Sequence, residues 1–316
     1  MQEPIIKSKI FEGLHLVGIK AAVVSVDRLH DIEVEISDLL SRGEINLEDN
    51  KDIPQYQYSY EKIIRGKKYT YDPNNDSIKA KSVLILAVAM PVHQVGFTIN
   101  GNIIDVLIPS DYMQRKASKA LDEYLNSTLM MFGYKAIKAK LPLKLLAVRS
   151  GLAEYGRNNI SYVEGMGSRL FLTAYYIDCQ LPEDTWRQPV RMKMCDTCKA
   201  CMNNCPTKAI IDNKRVILAE RCLVLYNEFE DDIPKWINKE FHNALIGCVK
   251  CEEKCPMNLK YKNQLVTLPA FSEEQTKEIL QTKNPHDLSL KTYQMICDYE
   301  IDEYYNVFHR NLSLLI

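Results

Sequence analysis

The chain has 316 residues, 40 Lys and Arg against 41 Asp and Glu, and a formal charge of -1. That balance excludes the global positive field with which a nucleic-acid or anionic-membrane binder draws in its partner, while leaving room for a local basic patch. Apolar residues make up 46% and charged residues 26%, so the chain can bury a full core, and its length suits about two domains.

The opening "MQEPIIKSKIFEGLHLVGIK" lacks the basic start, apolar run and small-residue cleavage site of a signal peptide, and has no twin arginine. The longest apolar run, Val83 to Met90, is less than half of what a bilayer crossing needs. These features predict a cytoplasmic protein without a membrane partner. In that reducing compartment its ten cysteines are metal ligands or core residues sooner than disulfides.

In chain order, "IIKSKIFEGLHLVGI" has helical spacing, "KAAVVSV" is a short apolar strand, and "RLHDIEVEISDLLSRG" has a helical period closed by Gly43. A polar connector follows. Its stretch "PQYQYSYEKIIRGKKYTYDP" sets Tyr56, Tyr58, Tyr60, Tyr69 and Tyr71 among Lys and Arg; it reads as a tyrosine-rich surface segment, or alternatively as a base-stacking or cofactor-covering one. "SVLILAVAMP" predicts a buried central strand. "SDYMQRKASKALDEYLNSTLMMFG" predicts a helix capped by Ser110 and Asp111 and stopped at Gly133. "YKAIKAK" and "RLFLTAYYID" read as strands, so a mixed α/β or α+β layer extends to about residue 185. Residues from about 190 to 258 have little regular pattern, and the remainder is mostly helical in pattern.

The irregular segment holds the chemistry. Cys195, Cys198, Cys201 and Cys205 precede Pro206, and Cys248, Cys251 and Cys255 precede Pro256. The second run is one ligand short, and Cys222 between them supplies an eighth cysteine. Eight thiolates suit two [4Fe–4S] clusters. In the bacterial ferredoxin run three close cysteines grip one cluster and the fourth, before proline, crosses to the other. Applied here, Cys195, Cys198, Cys201 and Cys255 bind one cluster, and Cys205, Cys222, Cys248 and Cys251 bind the second. Two four-cysteine zinc sites would use the same ligand count, but zinc does not call for this spacing or for Cys-Pro. Cys179 and Cys297 fall outside the pattern and read as small core residues.

Nucleotide signatures are missing: "EGMGSR" lacks the third glycine of a dinucleotide fingerprint, and no GK[ST] loop occurs. The six histidines are scattered singly.

One further stretch, "AVRSGLAEYGRNNISYVEGMGSRLFL", carries Gly151-Leu152, Tyr155-Gly156-Arg157-Asn158 and Gly167-Ser168-Arg169-Leu170-Phe171-Leu172. With the cysteine runs it resembles the epoxyqueuosine reductases and the related reductive dehalogenases. "SIKAKSVLILAVAMP" matches their strand before the active site, and "SDYMQRKASKALDEYL" resembles their Asp-Tyr-His helix with Met113 in the histidine's place. The resemblance covers most of residues 10 to 260. It implies an α+β fold: a nitroreductase-like cobalamin-binding domain over 1–185, a ferredoxin-like double [4Fe–4S] module over 186–260, and a helical segment over 261–316. It also implies bound cobalamin beside the two clusters. Asp111, Gly151, Arg157, Asn158, Gly167 and Ser168 are then candidates for holding the cofactor. Tyr155, Arg157 and Asn158 alternatively form a capped turn.

Two departures bear on function. The epoxyqueuosine reductases carry a proton-donating Asp before the Gly-Leu step, where this chain has Ala139 or Ile137, and residues 124–153 contain no Asp or Glu. Tyr112, Lys140 and Tyr155 are the substitute candidates, the lysines of this stretch alternatively forming a solvated face. Secondly, the chain stops at "HRNLSLLI", about where the longer relatives begin tRNA-gripping repeats. With the neutral charge, this weakens the case for a tRNA substrate, since phosphate contacts normally dominate such affinity. The expectation is therefore a cobalamin-dependent iron–sulfur reductase fed by an external low-potential donor such as ferredoxin or flavodoxin, acting on an electrophile that is a small molecule or tRNA-borne. The alternatives are an electron-transfer protein that reduces a partner such as a corrinoid protein, or a true epoxyqueuosine reductase with a relocated acid.

Overall fold

A computed structural model describes residues 2–42, 77–212, 216–230, 232–259 and 265–316. Gly43 and the tyrosine-rich stretch lie outside them. The described strands are β1 (Lys20–Ser25), β2 (Ser82–Ala89), β3 (Val92–Ile99), β4 (Asn102–Ile108), β5 (Ala136–Lys138), β6 (Glu154–Tyr155), β7 (Ser161–Tyr162), β8 (Leu170–Ile177) and β9 (Leu265–Phe271). The fold is mixed α+β, in two compact units. The first draws mainly on Met1–Ala89 and Lys116–Cys198, the second on Met90–Arg115, Lys199–Asp212 and Ile217–Ile316.

The first unit is built on an antiparallel sheet in the order β1-β2-β8-β5. Residues Val83 to Ala87 of β2 are wholly buried, because helices cover both faces of the sheet. That is why β2 reads as a continuous apolar run instead of an alternating one. The register sets Val24, Val83 and Tyr176 in one row, facing the core that also takes Leu29 and Ile32 of helix α2 (Leu29–Ser41) and Leu145 and Leu146 of the helix Leu143–Arg149. The next row, Val23, Leu84, Tyr175 and Lys138, faces the opposite way. There the Tyr175 hydroxyl donates to Asp122 at 2.6 Å and Lys138 Nζ donates to Ser118, both on the helix Arg115–Met130. Helix α1 (Glu3–Leu16) buries Ile6, Ile10 and Leu14, spaced one turn apart, and Gly13 lets the ring of Tyr124 approach its backbone closely.

The helix expected to be capped by Ser110 and Asp111 starts later, at Arg115. Pro109 to Tyr112 form a turn closed by the Tyr112 N–H on the Pro109 carbonyl at 3.4 Å, and Ser110 is buried there. The expected stop holds: Gly133 takes φ +79 and the Tyr134 N–H reaches back to the Leu129 carbonyl at 3.1 Å.

The second unit contains a hairpin, β3–β4, closed by Asn100 and Gly101, both at positive φ. Strand β9 adds in parallel beside β3, so the C-terminal segment is not wholly helical. Phe97 stacks on Phe271 at 5.1 Å, and the helices Glu273–Gln281, Leu290–Asp298 and Tyr305–Leu315 bury Ile279, Ile296 and Phe308 against this face. Ser272 and Gln275 form a capping box that starts the first of them. Among the described residues no helix is long and apolar enough to cross a membrane.

Candidate metal centre

The first cysteine run begins on a short turn, Lys193–Asp196, in which the Cys195 N–H donates to the Met192 carbonyl at 2.9 Å. This turn is held by the Tyr155-Gly156-Arg157-Asn158 loop. The Tyr155 N–H donates to Val190 at 2.9 Å and its carbonyl accepts from Met192 at 2.9 Å, extending β6 onto the strand-like approach to Cys195. The Arg157 guanidinium closes the contact, its Nε donating to the Cys198 carbonyl at 3.1 Å and its Nη2 to the Cys195 carbonyl. The loop itself is a capped turn. Asn158 donates to the Tyr162 hydroxyl at 3.0 Å, Asn159 takes φ +59, and a Cβ on Gly156 would collide with Asn158 and the Tyr162 ring. Two motifs that look separate in sequence are thus one local structure.

Within the second unit, Cys201 lies on the helix Ala200–Asn204, which ends at an extended Cys205. Pro206 follows and cannot continue the helix. The chain then turns back through Lys208 at φ +57, so that the Ala209 N–H points at Cys205 Sγ at 3.3 Å and Thr207 Oγ1 lies 3.6 Å from it. Cys201, Cys205, Ala209 and Ile210 form an apolar nest against which Cys222 and Cys251 pack. Cys222 is extended and opens the helix Leu223–Glu228, and Cys251 lies on the helix Lys250–Glu253. That last helix packs on Ala200–Asn204, with Asn204 Nδ2 donating to the Lys250 carbonyl at 2.5 Å.

Cys248 is placed by Asn243, whose Nδ2 donates to Sγ at 3.2 Å while its Oδ1 accepts from the Val249 N–H at 2.9 Å. Burial pushes the Cys248 thiol up; the Asn243 hydrogen bond and a Lys250 backbone N–H oppose this, and Cys205 close by reinforces it. Cys255 precedes Pro256, which opens the short helix Pro256–Leu259. None of the ten cysteines is joined in a disulfide; Cys179 is buried and Cys297 half-buried.

This donor set suits thiolate-ligated iron: the sulfurs of Cys205 and Cys248 each receive an N–H, and the nest is apolar. Among the described residues no three His, Cys, Asp or Glu side chains converge on one metal position. A four-iron cluster does not ask for that, since each thiolate binds a different iron.

Residues 194–258 match the family model of the 4Fe-4S double cluster binding domain. An epoxyqueuosine reductase of Xanthomonas campestris pv. campestris is 34% identical over 149 residues, 46% of this chain and 41% of that protein. Over that stretch the chain is similar to the epoxyqueuosine reductases. It spans about two fifths of the length of the first curated relatives it matches, at 41%, 38% and 39%. It also shares the fold of the solved enzymes. The epoxyqueuosine reductase of Bacillus subtilis, in a form with its catalytic loop swung out of the active site, gives a TM-score of 0.64 at 18% identity, covering 98% of this chain and 81% of that one. An epoxyqueuosine reductase bound to an epoxyqueuosine-modified tRNA-Tyr stem loop gives 0.62 at 17% identity, covering 98% and 80%.

The remaining candidate residues fall as follows. Tyr112 is buried and its hydroxyl donates to Glu228; burial, then the negative charges of Glu228 and Asp111, raise it well above the ordinary phenol range. Lys140 is exposed just before the buried Leu141, and Tyr155 is half-buried. Asp111 is exposed. Gly151, at φ +77, ends the helix Leu143–Arg149, and Gly167, at φ +72, closes the turn from Val163. Ser168 is buried beside it. Of the two positions where the reductases' aspartate is expected, Ala139 is a buried core residue and Ile137 packs, partly buried, against the same core. Arg157 and Asn158 thus make their hydrogen bonds within the chain, to Cys195, Cys198 and Tyr162.

Proposed function

We propose that this protein is an iron–sulfur oxidoreductase of the epoxyqueuosine reductase kind, with Cys195, Cys198, Cys201 and Cys255 on one [4Fe–4S] cluster and Cys205, Cys222, Cys248 and Cys251 on the other. The observation that carries the reading is the packing of Cys201, Cys205, Cys222 and Cys251 into one nest from three separate stretches of chain. The ion-free alternative, a plain apolar core, gives no reason for backbone and side-chain N–H groups to be aimed at Cys205 and Cys248.

Electrons enter singly from a low-potential donor of the ferredoxin or flavodoxin class. The substrate best supported is the epoxide of epoxyqueuosine carried on tRNA, by homology and by the tRNA-bound structural neighbour. Removing an epoxide oxygen as water takes two electrons and two protons. Since residues 124–153 offer no carboxyl group, we place proton delivery on Lys140 and Tyr155. Tyr112 is spent on Glu228. Cobalamin belongs to this proposal through the resemblance, and would supply a strongly reducing cobalt centre.

The test is anaerobic purification with cobalamin supplied, then iron, sulfide and cobalt per chain on one sample, followed by turnover of epoxyqueuosine-tRNA. About eight irons are expected from the ligand count, and a chain without iron would overturn the reading. Full iron with neither cobalt nor turnover would instead favour electron delivery to a partner protein, which the missing carboxylate also suits.

A further inference from the structure

We infer that Arg157 is a positioning residue for the first [4Fe–4S] cluster, holding its ligand loop and setting its reduction potential. The inference rests on the iron–sulfur reading above. Arg157 is 5% exposed, and its guanidinium reaches the carbonyls of two ligand cysteines, Cys195 and Cys198, across 38 and 41 residues of sequence. The loop that carries it is fixed independently, by Asn158 on Tyr162 and by the Tyr155 main chain on Val190 and Met192. The cation is therefore held in place and is not a surface group that happens to touch the loop.

Two consequences follow from charge and geometry. A thiolate-ligated cluster is anionic and gains one more negative charge on reduction. A buried cation beside it favours the reduced form, because charges interact strongly where water is excluded. The fork also occupies both cysteine carbonyls, so their negative ends point at the guanidinium. Two N–H groups diverging from one planar head are what the arrangement uses, and lysine offers a single point charge instead.

The experiment is a potentiometric titration of the iron-loaded full chain, followed by electron paramagnetic resonance, for the unaltered protein, Arg157→Gln and Arg157→Lys. Arg157→Gln is expected to keep the second cluster unchanged and to move the first to lower potential, or to lose it with about half the iron. Arg157→Lys keeps the charge and should show a smaller shift of the same cluster. Two full clusters with unaltered potentials in either variant would overturn the inference. If the unaltered chain binds no cluster at all, the iron–sulfur reading fails instead, so the two failures are distinguishable.

Discussion

Asn243 grips Cys248 from two sides, donating to its sulfur at 3.2 Å and accepting from the next backbone N–H, that of Val249, at 2.9 Å. A hydrogen bond to a charged acceptor contributes about 1.5–3 kcal/mol, and on a ligand thiolate it favours the reduced cluster. Asn243→Asp keeps the size and the acceptor but loses the donor and adds a negative charge. It should lower the potential of the second cluster and speed its loss to a chelator. A titration that leaves both potentials where they were would show that the contact does not reach the iron.

Gly247 and Tyr112 form the other restraint on that loop. Gly247 takes φ +65, and a Cβ there would stand 2.8 Å from the Tyr112 ring carbon Cε2. Its carbonyl accepts from Asn227 at 2.8 Å, and Asn311 in turn holds the Asn227 and Leu245 carbonyls at 2.9 Å. Gly247→Ala combines left-handed strain with overpacking, which together cost about 2–4 kcal/mol. The urea midpoint of the iron-loaded chain should fall accordingly. In a Tyr112→Ala background, where the ring that the new Cβ meets is gone, Gly247→Ala should cost less than it does in the unaltered chain.

How much of this was legible beforehand depends on where the signal sits. The cysteine runs are local, and their spacing alone predicts the ligand chemistry. Strand β2 is legible because burial on both faces leaves an unbroken apolar run. The hairpin at Asn100-Gly101 carries the strongest short-range turn signal in the chain, yet an apolar, irregularly alternating flank hides it. The cap at Ser110 and Asp111 misleads because Ser110 and Tyr112 are buried in a turn inside the second unit, where the Tyr112 hydroxyl meets Glu228, a tertiary preference that local propensity does not contain. Arg157 is legible as part of a motif but not in its role, since its partners lie far along the chain. Asn243 looks like any loop asparagine; its place five residues before Cys248 is the one available hint.

In the first unit Arg149 donates through Nε to Glu35 at 2.7 Å, and its guanidinium lies 5.5 Å from the Trp186 ring centroid. Both charged groups are buried, 9% and 8% exposed. Taking one partner from such a pair costs about 3–5 kcal/mol, whereas replacing both with apolar groups is often close to neutral. Glu35→Leu should therefore lower stability sharply, and Glu35→Leu with Arg149→Met should restore most of it. Urea unfolding followed by tryptophan fluorescence reads both. A single variant costing less than about 1 kcal/mol would mean that the pair is solvated in solution.

His242 is buried, and neither ring nitrogen finds a hydrogen-bond partner among the described residues. Burial, with the nearby Arg310 cation, pulls it down to about 4. An unfolded histidine titrates near about 6.5, so between the two values the unfolded chain binds a proton that the folded one refuses. The contribution is fully favourable above about 6.5 and is lost as the pH falls toward 4. His242→Phe should narrow the gap between urea midpoints measured at about pH 7.5 and about pH 5. His93 and His309 are lowered by burial as well, so part of the gap should remain. An unchanged gap would place the acid sensitivity elsewhere.

The ligand assignment makes its sharpest demand on Cys222, which stands outside both cysteine runs and enters the nest from its own turn, its N–H closing on the Ala219 carbonyl at 3.0 Å. Serine at that position removes a soft thiolate while keeping the size. Cys222→Ser should therefore lose or weaken the second cluster, with iron falling toward about half. Cys297 is half-buried on the helix Leu290–Asp298 and Cys179 lies in the core of the first unit, so Cys297→Ser and Cys179→Ser should keep the full iron content. Cys179→Ser should nevertheless lose some stability, because it puts a hydroxyl where burial already pushes the thiol up. Equal iron in all three variants would remove Cys222 from the ligand set and require another eighth donor.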